Sequence, residues 1–141
     1  MAESSLPVEF LFTIDVDTSP PTMIMGAPQG NRYIVSVPGG TFEGPKLKGT
    51  VVANSGGDWL TLRADGSAKL DVRLTLTTDD GAAILMSYSG ILVNGEGGPS
   101  IRSAPLFETG AENYAWLNRV QAVGVGAPRA GGVKYDIYAL S

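Results

Sequence analysis

The chain contains neither histidine nor cysteine, so the usual general base, the thiol nucleophile and the two commonest zinc ligands are all missing. Proton chemistry must then fall to carboxylates, phenols and basic side chains. These concentrate between residues 58 and 90, DWLTLRADGSAKLDVRLTLTTDDGAAILMSYSG, which read as three strands joined at Asp65-Gly66 and Asp80-Gly81. Asp-Gly between alternating runs signals a two-residue type I′ hairpin. In that register Asp58 faces Arg73, and Arg73 faces Tyr88. A carboxylate, a guanidinium and a phenol then lie abreast on one face, within contact reach. The chemistry of such a row is proton transfer: Asp58 as base, Arg73 as binder of a developing oxyanion, Tyr88 as proton donor. Asp71 joins the same face as a ligand-binding group. A buried charge costs several kcal/mol unless it is partnered, so a purely structural strand gains little from carrying both Asp71 and Arg73 inward. The second turn has a wider choice of residues in Thr78-Asp79-Asp80-Gly81, and a slip of one residue exchanges the faces.

The elements that must position this row are strands. Residues 9 to 16, EFLFTIDV, put Phe10, Phe12, Ile14 and Val16 on one face. Ser19-Pro20-Pro21 breaks the pattern, and residues 31 to 37, NRYIVSV, restore it. Gly39 to Lys46 is glycine-rich but lacks a phosphate-loop ending and leads into the strand 47 to 54 rather than a helix. Residues 93 to 100, VNGEGGPS, read as a loop able to act as a flap, and 101 to 107 return to the sheet. A helical turn is expected at 108 to 113 with Thr109 as its N-cap. A strand from 114 to 125 would place Trp116 and Asn118 on one face, and Glu108 beside it offers a second carboxylate. A hairpin at 127 to 132 leads to the last strand, 133 to 140. Eight or nine strands without a long helix predict an all-β, antiparallel meander closed on itself.

Composition agrees. Nineteen glycines and nine prolines in 141 residues suit short strands punctuated by turns, in one domain spanning 1–141. A formal charge of −4 gives no footprint for nucleic acid or an anionic membrane. The start of the chain lacks a basic leader with an apolar core, and no apolar run approaches a membrane span, so a cytoplasmic protein is expected. Apolar residues fall on both faces of the central strands. In the trial register Leu70, Val72, Leu74 and Leu76 form an outer stripe, which predicts a homo-oligomer, a dimer, that covers it.

The segments GGTFEGPKLKG, GGDWLTLRADG, LDVRLTLTTDDGAAI, PLFETGAENYAWLN, VGVG and YDIYAL occur in an order that resembles the domain of unknown function family 3237. The likeness spans nearly the whole chain, and FETG followed by YAWLN is its most specific block. The resemblance implies a lipocalin-like or allene-oxide-cyclase-like closed barrel. It singles out Asp58, Trp59, Asp71, Arg73, Arg102, Glu108, Thr109, Tyr114, Trp116 and Asn118. The catalytic expectation is thus Asp58, Arg73, Tyr88 and Glu108, with Asp71, Arg102, Trp116 and Asn118 binding a ligand, and with neither a metal nor a cofactor. The expected activity is that of a cofactor-independent isomerase, cyclase or lyase for a small, apolar, oxygenated compound. The alternative is a barrel that sequesters such a ligand without turnover.

Overall fold

The computed structural model describes Ala2 and residues 4–141. In chain order the strands are β1 (Val8–Asp17), β2 (Thr22–Ala27), β3 (Gly30–Ser36), β4 (Gly39–Glu43), β5 (Lys48–Val51), β6 (Gly57–Leu62), β7 (Ala68–Thr78), β8 (Ala83–Gly95), β9 (Gly98–Ser103) and β10 (Leu106–Thr109). A 3-10 helix η1 (Glu112–Arg119) precedes β11 (Ala122–Arg129) and β12 (Gly132–Leu140). Eight strands form an antiparallel ring in the order β8-β9-β11-β12-β1-β4-β5-β7, and pairing of β7 with β8 closes it. The long strands each serve two partners along one edge. β7 pairs with β6 over its first half and β5 at its end, while β8 takes β10 and then β9. The β2–β3 hairpin, formed by the Pro- and Gly-rich stretch, extends the sheet from β6.

The ring closes because each wall strand offers one apolar face. Leu11, Phe12, Ile14, Leu74, Leu76, Ile84, Met86, Tyr135 and Ile137 are almost wholly buried. Side chains of this size are each worth roughly 1.5–3 kcal/mol on burial. Phe12 is the hub of one end, packing against Phe42 at 5.4 Å and Phe107 at 5.9 Å between ring centroids. A bulge between Phe10 and Phe12 in the pairing with β12 turns Phe10 outward, against the expected alternation.

The register around β7 departs from expectation by one residue on both sides. Both Asp-Gly turns have three-residue loops, Ala64-Asp65-Gly66 and Asp79-Asp80-Gly81, closed by hydrogen bonds from Arg63 N to Ser67 O and from Thr78 N to Ala82 O. Only the glycines have positive φ, +87° and +92°, whereas a type I′ loop needs it at the aspartates too. The aspartates are held instead by neighbours: Asp65 Oδ1 accepts from Ser67 N and Oγ at 2.9 and 2.6 Å, and Asp80 accepts from the Thr78 hydroxyl. The two slips flank β7, so β6 and β8 keep their faces and β7 alone turns over. Leu70, Val72, Leu74 and Leu76 are core, while Lys69, Asp71 and Arg73 are exposed. The argument for a dimer from an outer leucine stripe lapses with that stripe.

The C-terminal third differs in other ways. Residues 93 to 100 make no flap: β8 runs to Gly95 and β9 resumes at Gly98. Thr109 belongs to β10, its hydroxyl donating to Ala83 O at 2.7 Å rather than capping a helix. The expected strand over 114 to 119 is η1, which packs on the ring through the buried Leu117. Its position is fixed by Asn118, whose amide donates to Thr109 O at 3.0 Å and accepts from Thr109 N at 2.8 Å. Asp80 helps from the β7–β8 turn, receiving Tyr114 Oη at 3.0 Å and Asn113 Nδ2 at 3.1 Å.

Candidate active site

With β7 turned over, Asp58 faces Val72, and Val72 faces Tyr88. Two of the three expected side chains therefore share the lumen face, with a valine where the arginine was expected. Pairing between β6 and β7 is interrupted between Asp58↔Val72 and Thr61↔Lys69. At this interruption Asp58 Oδ1 accepts the Asp71 backbone N–H at 3.0 Å. Asp58 is half-buried. Burial pushes its carboxyl from the ordinary 3.8 up to about 7, opposed by the Asp71 N–H and reinforced by the Asp71 charge.

Two phenols complete the cluster. Tyr88 and Tyr135 meet edge to face, ring centroids 5.5 Å apart, although Tyr135 stands on β12, three strands around the ring from β8. The contact across the lumen is possible because the intervening positions are small. Gly90, Ser103 and Gly124 lie abreast on β8, β9 and β11. Gly126 lies opposite Tyr135, and a Cβ there would stand 2.4 Å from the tyrosine ring. Only glycine lets that ring lie flat against β11. Burial, before any other influence, raises both phenols well above their ordinary value, and the nearby Asp58 charge raises them further. They accordingly remain protonated donors at neutral pH. The hydroxyls of Tyr135 and Ser103 are buried and have no hydrogen-bond partner among the described residues. The Tyr135 hydroxyl is near enough to Tyr88 to feel it, yet forms no hydrogen bond of good geometry.

The other expected site residues do not join this cluster. Arg73 and Asp71 point outward because β7 is turned over. Arg102 alternates outward between the buried Ile101 and Ser103, and its Nη1 donates to the Ile101 carbonyl at 3.0 Å. Glu108 likewise alternates outward between the buried Phe107 and Thr109. Trp116 is half-buried in η1 with the Lys46 ammonium 5.2 Å from its ring, and Asn118 is the clamp on Thr109. Tyr135 is not marked by local spacing, because its partner Tyr88 is distant along the chain. Its signal was the alternation of Tyr135, Ile137 and Ala139 opposite the glycines of VGVG. The surface depressions beside Arg73, Arg102 and Trp59 do not include Asp58, and of the three cluster residues only Tyr88 borders one of them, that beside Arg73.

The arrangement defines a class: an all-β ring with a near-neutral carboxyl and two un-ionised phenols in its interior, a set suited to moving protons. Within that class the chain belongs to the family described as Protein of unknown function (DUF3237), matched over residues 6–140. It is 34% identical over 118 residues to a protein of Penicillium herquei named hydroalkoxylation enzyme phnH, covering 83% of this chain and 72% of that one. A UPF0311 protein of Rhodopseudomonas palustris is 30% identical over 148 residues, 95% and 96% of the two chains. Among solved structures, a beta-barrel like protein of Acinetobacter baumannii superposes with a TM-score of 0.91 at 31% identity, covering 99% of each chain. An enzyme from Penicillium herquei superposes with a TM-score of 0.82 at 27% identity, covering 100% of this chain and 98% of that one. Of these similar proteins, both from Penicillium herquei are thus named as enzymes, and one is a solved structure on this same barrel-like fold.

Proposed function

We propose that this protein is an acid-base enzyme that adds an O–H group across a carbon–carbon double bond of a small apolar molecule, as in closure of a cyclic ether. The observation that carries the reading is the Asp58 carboxyl, held at about 7 beside two buried phenols. Near neutral pH that carboxyl is present in both forms, which lets it take a proton from a hydroxyl and return one. The name of the Penicillium herquei relative supports the reaction class. For a double bond conjugated to a carbonyl, Asp58 takes the hydroxyl proton as oxygen attacks the far carbon. The C–O bond forms, the π electrons move onto the carbonyl oxygen, and Tyr88 or Tyr135 stabilises that oxyanion by donating a hydrogen bond. Protonation of the near carbon by Asp58 completes a net isomerisation with no oxidant or reductant.

The test is ring closure of 2′-hydroxychalcone to flavanone, followed by loss of the chalcone absorbance and by the enantiomeric excess of the product. Wild-type protein is expected to accelerate closure and to bias its stereochemistry, with a rate that rises with pH through about 7 as Asp58 ionises. Asp58→Asn is expected to leave only the racemic background. A racemic product at the uncatalysed rate with wild-type protein, or an Asp58→Asn protein as active as wild type, overturns the proposal.

A further inference from the structure

The outer face of β3, β6 and β7 carries a second arrangement that the lumen chemistry does not use. Arg32 on β3 faces Thr61 on β6, and Thr61 faces Lys69 on β7, so the three are in line across adjacent strands. Together with Trp59, Arg63 and Asp71 they line a depression of about 330 Å³. It is more enclosed than those beside Arg73, Arg102 and Tyr114. Three of the chain's ten basic residues converge here, on a protein whose formal charge is −4. Neither Arg32 nor Lys69 has a carboxylate within 4.0 Å among the described residues. Among the described residues Arg63 spends only its Nε on a neighbour, donating to Ser67 Oγ at 2.9 Å. Arg32 and Lys69 stand on either side of β6, about 10 Å apart at the backbone, which leaves room for an anion between them, and Asp71 is the one carboxylate of the lining. Trp59 supplies the remaining clue. It alternates outward from Asp58, is 41% exposed, and offers a large aromatic surface at the wall of a basic depression.

We propose that this groove is a binding site for a small planar aromatic carboxylate, its anion held by Arg32 and Lys69 and its ring stacked on Trp59. The volume suits one ring-sized molecule. A guanidinium presents a planar fork to a carboxylate, and the lysine adds a point charge on the other side. No basic track leads away from the groove as a nucleic acid would require, and the acidic balance of the chain argues against a polyanion. The site lies outside the ring, with Asp58 on the opposite face of β6, and its occupancy does not depend on turnover in the lumen.

The chain has two tryptophans, and Trp116 sits beneath Lys46 in η1. With ¹⁵N-labelled protein, benzoate is expected to shift the indole N–H signal of Trp59, saturably, and to leave that of Trp116 in place, the two being assigned with Trp59→Phe. By calorimetry, benzoate affinity should fall roughly tenfold or more in the paired Arg32→Gln, Lys69→Gln protein, and it should fall also in Trp59→Leu. Benzyl alcohol should not compete, and Asp58→Asn should bind benzoate like wild type, separating this site from the lumen chemistry. Tighter binding of inorganic pyrophosphate than of benzoate, with no loss in Trp59→Leu, overturns the proposal in favour of a plain anion site. Benzoate binding that survives the paired substitution, or shifts that spare Trp59, overturns it outright.

Discussion

Replacing Asp58 by asparagine removes a charge from the interior while leaving an oxygen to accept the Asp71 N–H. The carboxyl titrates at about 7 in the folded protein against the ordinary 3.8. At about 1.4 kcal/mol per pH unit of difference, the ionised carboxylate costs the fold about 4 kcal/mol. That figure is a ceiling, since Asp58 is only half-buried and water reaches part of it. Because the folded-state value is the raised one, the stabilisation is fully present below pH 3.8 and is lost as pH rises through about 7. Asp58→Asn should therefore be more stable than wild type at pH 8, by roughly 2–4 kcal/mol, and about equal to it at pH 4. Urea unfolding of both proteins across that range gives the difference directly, other titrating groups cancelling between them. A difference independent of pH, or a wild type more stable than the variant at pH 8, refutes the reasoning. Gained stability together with lost ring closure would mean that the carboxylate is kept for chemistry at the expense of the fold.

Tyr135→Phe deletes a buried hydroxyl that lacks a partner and keeps the ring on Gly126. It should raise stability by about 1 kcal/mol in thermal unfolding while slowing ring closure. Arg73→Met removes an exposed guanidinium that is in no ion pair among the described residues. Its unfolding free energy should stay within about 0.5 kcal/mol of wild type, and a loss of several kcal/mol would mean that Arg73 points inward. Asn118→Ala breaks both hydrogen bonds to the Thr109 backbone and should cost about 1–3 kcal/mol in chemical denaturation.

Most of the architecture was legible because period-two alternation is strong wherever one face is buried. The walls β1, β6, β8 and β12, the antiparallel order and the absence of long helices all followed from it. At β7 the turn signal and the strand signal disagree. Asp-Gly fits both a two-residue and a three-residue loop, and the choice rests on hydrogen bonds from Ser67 and Thr78 that spacing alone does not reveal. The strand itself held the answer, since Leu70, Val72, Leu74 and Leu76 alternate with Lys69, Asp71 and Arg73. Reading the charged set as inward required two buried charges, whereas the leucine set required none. Of the site, Asp58 and Tyr88 were legible from local pairing. Tyr135 was not, because its contact with Tyr88 spans 47 positions of chain and three strands of ring. The helix η1 is not legible in the spacing because its anchors are tertiary contacts, Asp80 holding Tyr114 from the β7–β8 turn and Asn118 clamping the backbone of β10.

The three-residue turns on either side of β7 have a consequence for how this protein can change over generations. Deleting Ala64 or Asp79 would leave a two-residue loop still closed by Arg63 with Ser67, or by Thr78 with Ala82, so β7 would keep its partners and its faces. Removing one residue within β7 is different: the pairing anchored at the first turn and the pairing anchored at the second would assign two consecutive residues to the same face. Strand length, more than turn length, is thus what a lineage on this fold must hold constant.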